Sequence, residues 1–101
     1  MNLTYQIVYW RDIPAQLRVK SGSKRTNRQL SLRFQEAIDA AAMRAGATNT
    51  DDYLADWHAS DWQHSEGDPD QFTEQVAAQL EAEYTPERLR NLIANQGFET
   101  E

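Results

Sequence analysis

Hydrophobic and polar positions alternate from the start of the chain. Leu3, Tyr5, Ile7 and Tyr9 interleave with Thr4, Gln6, Val8 and Trp10, the period of two of a strand, in β-branched and aromatic residues. Ala15, Leu17 and Val19 then alternate with Gln16, Arg18 and Lys20 as a second strand. Between them Arg11-Asp12-Ile13-Pro14 reads as the turn, because Pro14 cannot donate to a ladder. Large side chains on both faces of the first strand predict a central position. A hairpin alone is marginal, so a third strand is expected.

The period changes after a loop at Ser21-Gly22-Ser23-Lys24-Arg25. Thr26 and Gln29 have capping-box spacing. Leu30, Phe34, Ala37, Ile38, Ala41, Ala42 and Ala45 then form a helical stripe that Gly46 closes. In residues 47–67, Tyr53, Ala55, Trp57 and Ala59 alternate as a strand would, while Tyr53, Leu54 and Trp57 also suit a helical turn capped by Thr50. The strand is preferred, as the partner the hairpin needs. Asp68-Pro69 and Thr85-Pro86 each place an N-cap before a proline, opening two C-terminal helices read as an αα-hairpin. The second ends at Gly97, with Phe98 positioned to fold back as a cap contact. The expected fold is one α+β domain over residues 1–101. It has a small antiparallel sheet, built on the N-terminal hairpin with a possible third strand, packed on one long helix (Thr26–Gly46) and followed by a C-terminal helical pair.

Charge divides this pattern in two. Residues 1–50 carry eight Lys/Arg against three acids, a net +5, and residues 51–101 carry two against thirteen, a net −11. Such asymmetry points either to two faces meeting different partners or to two halves attracting each other. The overall −6 argues against general nucleic-acid or membrane-surface binding. The absence of cysteine excludes disulfides, a thiol nucleophile and thiolate metal sites, and fits a cytoplasmic location. No apolar run is long enough for a transmembrane helix or a signal-peptide core.

The basic stretch from Arg18 to Arg33 holds no acid. Lys24, Arg25, Arg28 and Arg33 lie where a loop is expected to meet a helix N-terminus, whose free N–H groups and dipole favour an anion. These four are the candidate anion-binding residues; the competing reading pairs them with the acidic half. No aromatic interrupts Arg11–Arg33, so a stacking platform for nucleic acid is missing from the stretch itself. Tyr9, Trp10, Arg11 and Asp12 combine the residue types that anchor protein interfaces and are the candidate partner-binding residues. Trp10 serves equally well as cover for the sheet.

His58 and His64 with Asp56 and Asp61 are metal-ligand types. On one strand the two histidines would stand roughly 20 Å apart at about 3.3 Å per residue, so no metal is expected. Ser60 beside His58 and Asp61 has no nucleophile-elbow glycines around it. Neither catalytic residues nor a cofactor fingerprint emerge.

Three blocks carry a family resemblance: Val8-Tyr9-Trp10-Arg11-Asp12-Ile13-Pro14-Ala15-Gln16, then Leu32-Arg33-Phe34-Gln35-Glu36-Ala37-Ile38-Asp39-Ala40-Ala41-Ala42-Met43, then Asp52-Tyr53-Leu54-Ala55-Asp56-Trp57. Together they resemble the small bacterial "virulence factor" domain family across most of residues 5–85. Related segments stand beside an Nfu-like domain and helical repeats in larger proteins. The resemblance therefore implies an adaptor or assembly role, serving a metabolic enzyme or an assembly system, and brings no catalytic residues with it. The functional expectation is a non-enzymatic protein-interaction module with a basic anion-binding loop. It would have a protein partner, and a small anionic ligand is compatible. The alternative is a small enzyme subunit binding a phosphorylated or carboxylated ligand, and nucleic-acid binding comes third.

Overall fold

A computed structural model describes residues 2–47 and 49–99, so Thr48 and the extreme ends of the expected 1–101 domain lie outside the described residues. Strands β1 (Asn2–Trp10) and β2 (Ile13–Ser21) form the expected hairpin, and β3 (Lys24–Gln29) returns along β2. Helix α1 (Leu32–Ala45) follows, then the short α2 (Thr50–Ala55), β4 (Trp57–Ala59), β5 (Gln63–Glu66), α3 (Pro69–Glu83) and α4 (Pro86–Ala94). The five strands make one antiparallel sheet with β1 at its centre, β2 and then β3 on one side, and β4 and β5 end to end on the other. The architecture is the α+β arrangement read from the chain.

Two expectations about where elements begin and end are corrected. Thr26 does not open the long helix. It sits within β3, and α1 begins at Leu32 with Ser31 as N-cap. β3 carries no apolar residue, because its inward side chains meet the acidic flank of α3 rather than a hydrocarbon core; Lys24 pairs with Asp70 and Arg28 with Glu74. A strand without an apolar stripe gives no period-two hydrophobic signal. The second correction concerns Tyr53–Ala59, which is not one strand. Asn49, accepting a hydrogen bond from the Asp52 N–H at 2.9 Å, caps α2 through Ala55, and pairing with β1 starts only at Trp57.

β4 and β5 are two halves of one edge interrupted at Ser60. The Ser60 N–H donates to the Ile7 carbonyl at 2.9 Å, and its hydroxyl oxygen accepts from the Ile7 N–H at 2.9 Å in place of a backbone carbonyl. The Gln6 amide donates to the Ser60 carbonyl at 3.0 Å. The pairing slips here: Ala59 faces Val8, but Gln63 faces Tyr5. This is a β-bulge, one extra residue on the edge strand.

Helix α3 covers one face of the sheet, with Phe72 and Val76 packed on Leu3, Leu17 and Val19. A second cluster joins Trp10 and Ile13 at the hairpin end to Phe34 and Ile38 of α1, Leu80 of α3 and Leu89 and Leu92 of α4. Burying each large apolar side chain contributes about 1.5–3 kcal/mol. Asp68 and Thr85 cap α3 and α4 as expected, and Gly46 ends α1 in the left-handed conformation. The two C-terminal helices form, but α4 packs chiefly on α1 rather than back on α3. No described helix is long and apolar enough to cross a membrane.

Ser31 makes no side-chain cap bond of its own to α1. Instead Glu81 of α3 accepts from both the Ser31 N–H and its hydroxyl, each at 2.7 Å, and lies 3.2 Å from the Arg33 guanidinium. Burial alone would raise the Glu81 pKa; the Ser31 hydrogen bonds and the Arg33 charge outweigh it, and the net direction is down. A depressed carboxylate stabilises the fold above its unfolded pKa, and that stabilisation is lost as pH falls through the folded value. Urea midpoints should therefore drop on acidification below the ordinary glutamate range, and Glu81→Gln should flatten that drop. An unchanged pH profile in the variant would contradict the clamp.

Gly97 supplies a second test. Its φ is +95°, and a Cβ built there would stand 2.9 Å from Trp10 Cζ3. Gly97→Ala should cost about 1–3 kcal/mol in urea denaturation, from overpacking and a disfavoured backbone conformation.

Candidate functional site

Alternation along β2 and β3 sorts the basic stretch into two sets. Lys24 and Arg28 turn toward α3 and pair with Asp70 and Glu74, and beyond the strand Arg33 pairs with Glu81. The four expected anion-binding residues therefore do not converge. Three meet carboxylates of the acidic half, and Arg25 lies on the opposite face of the sheet, across from Lys20. The anion that a helix N-terminus beside arginines calls for is supplied from within the chain, as the Glu81 carboxylate on Ser31.

The face turned away from α3 carries Thr4, Gln6 and Val8 of β1, Gln16, Arg18 and Lys20 of β2, and Arg25, Asn27 and Gln29 of β3. Arg18 pairs across the ladder with Asn27 and Lys20 with Arg25. Among the described residues, five cations form ion pairs: Arg11, Lys24, Arg28, Arg33 and Arg88. Three of the other five, Arg18, Lys20 and Arg25, share this face. Arg18 reaches only a neutral group, donating to the Gln6 amide oxygen at 3.2 Å.

Trp62 completes the arrangement. Thr4 pairs with Lys20 on one side and with His64 on the other, so the bulge residues preceding β5 lie one strand away from β2. From there the Trp62 ring reaches Lys20, whose Nζ lies 4.2 Å from the ring centroid, and the indole remains 39% exposed. Arg18, Lys20, Arg25, Asn27 and Trp62 line a recess of about 290 Å³ that contains no acidic side chain. Sequence reasoning missed Trp62 as a member of this site. It lies far along the chain from the basic stretch, and only the pairing of β5 with β1 brings the two together.

The turn residues are held by the chain itself. Trp10 is fully buried, and its indole N–H donates to the Tyr53 carbonyl at 2.8 Å. Arg11, in a left-handed conformation with φ 52°, has its guanidinium between the Trp10 and Phe98 rings, 4.8 and 4.7 Å from their centroids. It pairs with Asp56 at 3.2 Å and donates to the Gln96 carbonyl at 2.7 Å. Asp12 accepts from the Glu99 N–H at 2.8 Å. Phe98 thus meets Arg11 where a contact with its own helix was expected.

Tyr9, the remaining member, stacks on His58 with ring centroids 5.5 Å apart, at a recess of about 430 Å³ that Tyr84 and Arg88 also line. Burial, reinforced by Glu83, raises the Tyr9 pKa, and burial likewise raises that of Tyr84. Both phenols stay protonated at neutral pH, so they can donate hydrogen bonds but do not act as bases. His58 Nε2 lies 2.6 Å from the Arg11 carbonyl, and the Ser60 hydroxyl is engaged in the bulge. Among the described residues no group of three His, Asp or Glu side chains is placed to hold a metal.

No curated protein and no solved structure matches the chain. A family model does. It covers residues 8–93, from the second half of β1 through the buried Leu92 of α4, and so includes the Trp10–Asp12 turn, the cations of β2 and β3, and Trp62. The chain belongs to the Virulence factor family.

Proposed function

We propose that this domain is a non-enzymatic binding module that recognises an anionic group on its partner through Arg18, Lys20 and Arg25. The carrying observation is the Lys20–Arg25 cross-strand pair, two like charges opposite each other with a third cation two residues along and no carboxylate in the recess. Like charges directly opposite on a sheet destabilise it, by a few tenths to about 1 kcal/mol. An anion that sits between them attracts both and offsets that repulsion. The Lys24, Arg28 and Arg33 pairs with α3 support the same reading from the other side, because they leave Arg18, Lys20 and Arg25 as the cations of β2 and β3 without an ion pair.

This reading couples stability and binding with opposite signs. Arg25→Glu should leave the unliganded protein as stable as wild type, or stabilise it by a few tenths of a kcal/mol, since it converts a like-charge pair into an opposite one. The same variant should lose the thermal stabilisation that inorganic polyphosphate gives the wild type, which at about a hundredfold over Kd amounts to roughly 2.7 kcal/mol. Urea denaturation without ligand and melting with polyphosphate measure the two effects. Equal stabilisation of wild type and variant by polyphosphate would sink the proposal.

A further inference from the structure

The open face also carries features that an anion site alone does not require, and they narrow the class of partner. Trp62 stands in the same recess as the three cations, with more than a third of its surface exposed. Asn27 lines the recess with them, and the strands direct two further amides, Gln16 and Gln29, to the same face farther along the ladder. None of the residues that β1, β2 and β3 direct there is acidic. The centre of a protein–protein interface is apolar; hydrocarbon gathers at the other end of this face, where Ala15, Leu30, Leu54 and Trp57 adjoin Val8, whereas in the Trp62 recess Val19 is the one aliphatic lining residue. Cations, hydrogen-bonding amides and one exposed aromatic ring are the composition of a surface that takes an unpaired nucleotide strand. The ring stacks a base, the cations track phosphates, and the amides meet base edges.

Resting on the anion-binding reading above, we infer that the occupant of this face is single-stranded nucleic acid, with one base stacked on Trp62 and its flanking phosphates on Arg18, Lys20 and Arg25. Lys20 already lies over the indole, so a base entering the recess releases its ammonium toward a phosphate. Arg18 and Lys20 stand two residues apart on one strand, about 6.6 Å at the usual rise, and Arg25 flanks Lys20 across the ladder. That footprint spans only a few nucleotides. The net charge of −6 opposes long-range attraction of a polyanion, so the contact depends on stacking as much as on charge.

The test is fluorescence anisotropy of a labelled single-stranded oligonucleotide of about ten nucleotides, in RNA and DNA forms, with a duplex of the same sequence and polyglutamate as comparison probes. Expected are binding of the single strand in preference to the duplex, and a slope of log K against log salt near −2, from about three phosphates at roughly 0.7 each. Trp62→Ala should weaken binding about ten- to a hundredfold, whereas Trp62→Phe retains most of it. Arg18→Glu/Arg25→Glu should abolish it, and Arg44→Glu, an exposed cation on α1, should leave it unchanged. Circular dichroism of each variant separates loss of binding from loss of fold. Binding that ignores Trp62→Ala, or that favours duplex, overturns the nucleic-acid assignment. If polyglutamate binds through Arg18 and Arg25 and the oligonucleotide does not, the assignment also fails while the anion-binding face stands. If neither probe nor polyphosphate binds, both readings fall.

Discussion

Side chains alternate across a β-strand, so the cations of β2 and β3 cannot all meet the same partner. This constraint organises the molecule. Where alternation turns a cation toward α3, an acid waits: Asp70 for Lys24 and Glu74 for Arg28. Exposed pairs of this kind are individually worth at most about 1 kcal/mol. Set in a row, they fix where α3 lies along a strand that offers it no apolar contact. The residues one step out of phase, Arg18, Lys20 and Arg25, are separated from those acids by the sheet itself. Acids of the second half therefore pair with the cations of one face, and Arg18, Lys20 and Arg25 on the other face are left without an ion pair.

The hairpin end obeys a different logic. Trp10 enters the core and exposes Arg11 to the next segment that passes, which is residues 96–99 following α4. The Arg11 guanidinium lies 4.8 and 4.7 Å from the Trp10 and Phe98 ring centroids, while the Asp12 N–H donates to the Gly97 carbonyl and the Asp12 carboxylate accepts from the Glu99 N–H across the same seam. The close approach requires a residue without a Cβ at position 97. A Tyr-Trp-Arg cluster of the kind that anchors partners is here satisfied within one chain, because the α4 end supplies the carbonyls, ring and N–H that a partner would otherwise offer.

The hairpin, the stripe of α1 and the two proline-opened helices were legible because each buries one periodic apolar face. Leu17 and Val19 point where their spacing predicts, and so do Phe34 and Ile38. β3 was not legible, since its inner face is charged and its stabilising partners lie some 46 residues away in sequence. Thr26 has the spacing of a capping box, and only the pairing of Lys20 with Arg25 and Val19 with Thr26 overrides it. The site was half legible. The basic stretch was evident as composition, but its division between two faces depends on which residues are in strands, and Trp62 enters only through a long-range pairing.

That pairing turns on a single inserted residue. In β4 the register puts Ala59 opposite Val8, and continuing it unbroken would bring Trp62 opposite Tyr5, on the face covered by Phe72 and Val76. The bulge at Ser60 shifts the register by one, so Gln63 takes the place opposite Tyr5 and Trp62 moves to the opposite face, within reach of Lys20. A one-residue slip exchanges every side chain beyond it between faces. The Ser60 hydroxyl makes this slip tolerable, because it accepts the Ile7 N–H that the extra residue would otherwise leave unpaired. A side chain with no acceptor at position 60 would strand that N–H, and the simplest repair is to close the bulge. The indole would then turn inward against α3, and the three cations would keep their charge but lose their aromatic neighbour. The character of the open face thus depends on a hydroxyl at the sheet edge as much as on the residues that form it.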